Sequence, residues 1–353
     1  MTRTSRGKLL RRLALGAVGL GVVIATFVYF LPTIANYGEV WDVVKELSWP
    51  WVGALLVATA LNLVTFAPPW MIALPGLSFL PAMQLTQAVT ALSTVVPGGP
   101  AAGVAGAFGI LHRWNFATRD VARAVTLTGL WNQLLNLSFP VVAVFLLTIS
   151  GENTATLATA AFVGVAVLGV VVTGLVLVLV SDRLAHDIGE VAARFANWAL
   201  GKVRRGPVRW SGASFERFRD DAGDLLTRRW QLLTLASLAG SLSVFGVLVV
   251  SLRAFGVTAA EVSLVEAFAA WALIRIIASI PITPGGIGVV ELGLTGALVG
   301  FGGNNARVVA AVLVFRFLTV VPTLVLGLVA AATWRRGRRN VPVRDAARVA
   351  SRS

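Results

Sequence analysis

Six stretches of this sequence, 13–31, 49–67, 124–149, 155–180, 231–255 and 308–333, are almost free of charge. Each reaches the roughly 18 residues a helix needs to cross the hydrocarbon core of a bilayer. Lipid supplies no hydrogen-bond partners, so a segment that crosses it must satisfy its own backbone, as a helix does. The other spanning solution, a closed barrel, requires polar and apolar residues to alternate along each strand, and these runs do not alternate. Charged residues make up only 13% of the chain, about half the share of a soluble domain. The expected fold class is all-α, a polytopic membrane protein with about six full spans.

Two further apolar regions, 81–112 and 263–301, are interrupted by Pro97-Gly98-Gly99 and Pro284-Gly285-Gly286. Proline and paired glycines end a helix, and the freed backbone groups survive at membrane depth only inside protein or against a cavity. Each region therefore reads as a broken or re-entrant helix hairpin. With Pro97 aligned on Pro284, 9 of the 29 residues from Pro97 to Val125 are identical, among them Gly106/Gly293, Gly109/Gly296 and Leu111/Leu298. The break, the glycine-rich half-helix and the long span that follows thus occur twice, in halves of about 81–149 and 263–333. Charge counting gives the two halves opposite orientations, the pattern of an inverted repeat, which places a substrate site near the midplane in many transporters.

The orientation follows from the basic residues. The net charge of +14 is concentrated at the ends: five basic residues lie in the tail 1–12, and seven arginines against Asp345 lie in the tail 335–353. Basic residues beside spans mark the cytoplasmic side and attract anionic lipid, so no nucleic-acid partner is expected. Both tails are placed in the cytoplasm of a plasma-membrane protein, around a single integral domain at 13–334. The loop 182–230, with ten basic and seven acidic residues, is also placed there, as amphipathic helices on the membrane surface. The N-terminus resembles a signal peptide, but its apolar run from Leu13 to Leu31 exceeds a signal h-region and reads as a retained first helix.

Ionisable residues within apolar segments are costly and are functional candidates by default. Four stand out: Glu266, Arg275, Glu291 and Arg316. They support internal ion pairs, such as Glu291 with Arg316, or a site for an anionic head group, since guanidinium presents a planar fork to phosphate, and pairing does not exclude contact with a substrate. Helices starting after Gly99 and Gly286 would add N–H groups and partial positive charge; their small residues serve close packing equally well. The expected binding residues are Arg275, Glu291, Arg316 and the turns Pro97, Gly98, Gly99 and Pro284, Gly285, Gly286. The first half lacks these charges, having Ala88, Val104 and Gly129 at the matching positions, and offers amides instead: Gln84, Gln87, Asn132, Gln133 and Asn136.

Enzymatic signatures are scarce. The chain has no cysteine, and His112 and His186 lie far apart, so no catalytic residue, metal or cofactor site is expected. Glu291 is the one candidate base for a membrane transferase.

The stretch Pro281-Ile-Thr-Pro-Gly-Gly-Ile-Gly-Val-Val-Glu291, with Arg316 25 residues on, resembles the lysylphosphatidylglycerol synthase transmembrane, or flippase-like, family. Val96-Pro-Gly-Gly-Pro-Ala-Ala-Gly103 is similar to that family's first signature, although Pro100 and Ala101 depart from its usual glycine run. The resemblance covers most of 13–333 and implies a membrane module that moves lipids between leaflets. Bifunctional members carry a soluble aminoacyl-transferase domain after the membrane part; this sequence continues only about 20 residues past its last span, so synthase activity is not expected. The expected partners are membrane lipids, an anionic phospholipid or lipid phosphate, together with a second copy of the chain or a separate lipid-modifying enzyme. A transferase or accessory subunit acting on polyprenyl-phosphate or glycolipid is the alternative. A small-solute transporter would need more polar residues along its path.

Overall fold

The computed structural model describes residues 45–95, 99–150, 169, 173, 212–279, 284–286 and 288–333. The expected spans at 13–31 and, apart from Gly169 and Thr173, 155–180, both basic tails and most of the 182–230 loop lie outside them. Among the described residues every regular element is helical: α1 (Trp49–Thr65), α2 (Pro68–Ala73), α3 (Phe79–Val95), α4 (Gly99–Arg113), α5 (Thr118–Ile149), α6 (Gly212–Ala254), α7 (Leu264–Ser279), a 3-10 turn (Pro284–Gly286), α8 (Val289–Gly300) and α9 (Asn305–Thr333). Four stretches, Trp49–Ala73, Thr118–Ile149, Arg229–Ala254 and Asn305–Ala330, are long and apolar enough to cross a membrane. They coincide with the four expected spans that fall in the described chain.

The boundaries differ from the apolar runs in instructive ways. Helix α5 starts six residues before its apolar stretch, because Arg119, Asp120 and Arg123 occupy its first turns, where Arg123 lies 3.6 Å from Asp120. Helix α6 starts at Gly212, so the last part of the expected surface loop is helical and continuous with the span. Helix α8 has 12 residues, about 18 Å at 1.5 Å per residue. That is well short of a hydrocarbon core of about 30 Å, and α8 forms one arm of a hairpin with α7.

The packing extends the repeat beyond the halves read from the sequence. Helix α3 packs on α9, and its counterpart α7 packs on α5, so the broken hairpin of each half sits on the long helix of the other. Helix α1, which precedes the first hairpin, packs against α6, which precedes the second. Each half therefore contributes four corresponding helices, the first of which the sequence comparison missed. Even the matched glycines do matching work: a Cβ at Gly106 would run into Leu92 on α3, and one at Gly293 into Ile274 on α7.

Polar contacts are spent on helix interruptions. Pro68 and Pro69 break the first span, and the Ala67 and Trp70 amides turn to Val64 and Ala67 instead of the carbonyls of Leu63 and Phe66. Helix α3 meets both carbonyls: Gln87 Nε2 donates to that of Leu63 at 3.1 Å, and the Thr86 hydroxyl, shared with the Ala82 carbonyl of its own helix at 2.9 Å, lies 3.2 Å from that of Phe66. Between α1 and α6, Ser243 Oγ donates to Asn62 Oδ1 at 3.2 Å and lies 2.9 Å from Thr65 Oγ1. Such bonds join helices in lipid, where apolar contact alone gives no hydrophobic drive. Two large apolar clusters fill most of the rest, with a small one around Leu324 between α3 and α9. One lies among α2, α3, α4 and the start of α5; the other, around Trp271, Phe139 and Phe268, lies among α5 to α9.

The seat of α9 on α3 depends on a missing side chain. A Cβ at Gly327 would stand 2.8 Å from the Gln87 carbonyl oxygen and collide with Ala91. Gly327→Leu is expected to destabilise the protein by about 1–3 kcal/mol, the usual cost of overpacking. Gly296→Leu, with nothing within 4 Å of the added Cβ, is expected to be close to neutral. Thermal unfolding of the two variants in micelles checks the difference.

Candidate functional site

The second Pro-Gly-Gly turn is built from glycines in a conformation that side chains disfavour. Gly285, Gly286 and Gly288 have φ of 64°, 66° and 84°, the left-handed region open to glycine. The turn reverses the chain from α7 into α8 and leaves backbone groups unpaired at the new helix end. Glu291, in the first turn of α8, reaches back to accept a hydrogen bond from the Gly288 N–H at 2.7 Å. Its second oxygen accepts from Arg316 Nε, also at 2.7 Å, while Arg316 Nη2 donates to the Gly285 carbonyl at 2.9 Å. One guanidinium from the middle of α9 thus clamps both sides of the turn.

Glu291 is only 5% exposed and the Arg316 side chain 11%, so the two charges neutralise each other away from water. The N-terminus of α8 was expected to bind a phosphate. In the structure the chain's own carboxylate already holds its capping N–H. The pair is the ion-pair alternative raised by the sequence, realised with the backbone of the turn as third partner.

Arg275 goes elsewhere. Its Nε donates to Asn136 Oδ1 at 3.0 Å, and Nη2 bonds the same oxygen. Its guanidinium carbon lies 4.8 Å from the centre of the Trp271 ring and 5.7 Å from that of Phe139, within reach of cation–π attraction. Asn136 lies near the middle of α5, so this contact joins the two halves of the repeat. Asn136 Nδ2 donates onward to Gln133 Oε1 at 3.2 Å.

Glu266 does not belong to this interior. It caps the start of α7: the Ser263 N–H donates to Glu266 Oε2 at 2.7 Å and the Glu266 N–H to Ser263 Oγ at 3.2 Å. This is a capping box, and its signal, Ser263-x-x-Glu266 ahead of an apolar run, was present in the sequence.

The first half has no such clamp among the described residues. Pro97 and Gly98 lie outside them; Gly99 opens α4 at φ 36°. Val104 and Gly129, at the positions of Glu291 and Arg316, are exposed. The glycines after the break pack helices together instead: a Cβ at Gly103 would meet the Val89 carbonyl of α3 at 3.2 Å. The sequence also did not announce the partners of the amides. That Gln87 repairs α1 and Asn136 holds Arg275 depends on which helices meet.

Breaking a buried pair strands the partner's charge, at a cost of about 3–5 kcal/mol. Glu291→Ala and Arg316→Ala are each expected to lose stability on that scale. The double variant is expected to lose little more than either one, because the two residues act as a unit. A double-mutant cycle by unfolding in micelles measures the coupling.

A family model described as the lysylphosphatidylglycerol synthase TM region matches residues 16–327. Among curated proteins, none matches the chain. The family match takes in both broken hairpins, the helices that interlock them, and Arg275, Glu291 and Arg316. With its four described membrane-length helices, the chain is a multi-pass membrane protein with a lipid-related role, and it belongs to the family of the lysylphosphatidylglycerol synthase transmembrane region.

Proposed function

We propose that the protein is a lipid translocator, moving an anionic or modified phospholipid, or a lipid-linked head group, between the leaflets of the plasma membrane. The observation that carries this reading is the reciprocal seating of the hairpins, α3 on α9 and α7 on α5. Each seat is a contact between halves, and one carries a charged group, Arg275 on Asn136, near the middle of a long span. Inverted repeats with broken helices carry substrates by rocking one half against the other around a midplane site. The short arm α8 and its clamped turn provide a rigid lever for such a motion. Where a modified lipid is the cargo, a separate lipid-modifying enzyme is the source.

The transferase alternative has weaker support. Glu291, its one candidate base, has one oxygen on the Gly288 N–H and the other on Arg316. A carboxylate so held is poorly placed to accept a proton from a substrate.

Purified protein in liposomes is expected to exchange one lipid class among labelled phosphatidylglycerol, its lysyl ester and a polyprenyl phosphate. The rate should lie well above that of protein-free liposomes and of liposomes holding heat-unfolded protein. Absence of exchange for every lipid, by protein that remains folded, would overturn the translocator in favour of the transferase or accessory role.

In the proposed orientation both tails face the cytoplasm, so that Glu152, between the expected spans 124–149 and 155–180, faces out. The absence of native cysteine makes this testable with single substitutions. In intact cells an impermeant maleimide is expected to label Glu152→Cys, and to label Thr2→Cys and Ser351→Cys only after permeabilisation.

A further inference from the structure

The charge inside the described helices does not balance. Arg316 and Glu291 cancel, but among the described residues Arg275 meets the neutral oxygen of Asn136 and two aromatic rings. The carboxylates whose side chains are described are committed or remote: Asp120 lies beside Arg123, Glu261 and Glu266 cap their own turns, Glu46 is exposed ahead of α1, and Glu291 is held by Arg316. The apolar stretches 13–31 and 155–180 contain no acid. Among the described side chains Arg275 thus has no carboxylate partner, and it is half-buried among apolar helices, where an uncompensated ion is costly.

A polar face leads to it. Thr126, Gly129, Gln133 and Asn136 recur on α5 at three- and four-residue spacing and so share one side of the helix, with Asn132 beside them. Thr126, Gly129, Asn132 and Gln133 are exposed, in a helix whose composition otherwise suits lipid. The stretch from Thr126 to Asn136 covers about 15 Å along the axis. At its end Gln133, Asn136 and Arg275 form one hydrogen-bonded chain. Amides that serve only to join helices turn inward; Asn132 and Gln133 lie open.

From this we infer that Arg275, with Asn136 and Gln133, forms a binding subsite for a membrane lipid whose head group carries a single net negative charge, a phosphodiester monoanion. The α5 face is the path by which the head group reaches it. The acyl chains stay in the bilayer while the phosphate replaces water with the guanidinium and amide donors. The Arg316–Glu291 clamp takes no part in binding. The inference deepens the translocator reading but stands or falls on binding alone.

Native mass spectrometry of the full chain, in micelles doped with short-chain phosphatidylglycerol, phosphatidylcholine or free glycerol phosphate, tests it. Phosphatidylglycerol is expected to bind more tightly than phosphatidylcholine by about tenfold, the scale of one charge-assisted hydrogen bond, and glycerol phosphate not measurably. Arg275→Gln is expected to abolish the preference. Gln133→Leu, at an exposed position, is expected to weaken it without changing the melting temperature, which keeps the test decisive if Arg275→Gln fails to fold. Equal binding of the two lipids, a preference that survives Arg275→Gln, or glycerol phosphate binding as tightly as the lipid would overturn the assignment. Leaflet exchange is read separately: selective binding without exchange removes the translocator and keeps the subsite, whereas exchange without the preference does the reverse.

Discussion

Inside a bilayer a broken helix has backbone groups with nowhere to go, and the second half of this protein resolves that problem with one guanidinium. Arg316 reaches from α9 to the Gly285 carbonyl on one side of the break and to Glu291 on the other, while Glu291 holds the Gly288 N–H. Without that arrangement the turn would leave donors and acceptors facing hydrocarbon, each at a cost of several kcal/mol. The clamp also fixes the relation of α8 to α9, because it ties the first turn of one to the middle of the other. What resembles a binding motif in the sequence is, in the first instance, the fastening of the hairpin.

The same constraint shapes the rest of the described chain. At Pro68-Pro69 the freed carbonyls of Leu63 and Phe66 are met by Gln87 and Thr86, and the capping box of Ser263 and Glu266 finishes the start of α7. Each of these two sites is completed by side chains at hand, those at Pro68-Pro69 coming from a neighbouring helix. Because α3 and α7 each lie on the long helix of the opposite half, the repairs and the seats together bind the repeats into one body.

The two halves have divided their labour. The second half carries the charges and uses most of them on itself; the first carries amides on an open face of α5 and a glycine where the second has Arg316. Arg275 is where the two meet, a second-half cation held by a first-half amide. A symmetric ancestor of such a pair would have two equivalent seats. Here one is polar and the other, α3 on α9, is closed by the small residues Gly327 and Ala91.

The all-helical class, the four long spans within the described chain, both breaks and the existence of two halves were determined by the sequence itself. Hydrophobic length and helix-breaking residues act locally, and lipid leaves a segment few alternatives. The Ser263-x-x-Glu266 cap was equally local. The mutual packing of α1 and α6 showed that they too correspond in the repeat, which the break-centred comparison from Pro97 onward did not reach. Tertiary structure also decided which charges pair. Arg275, Glu291 and Arg316 were equal candidates along the chain, but a guanidinium bonds whatever acceptor the facing helix presents. Arg316 faces a carboxylate and a turn, whereas Arg275 faces an amide. That difference, between a charge that is cancelled and one that is not, arises from how helices distant in sequence meet, and no local pattern encodes it.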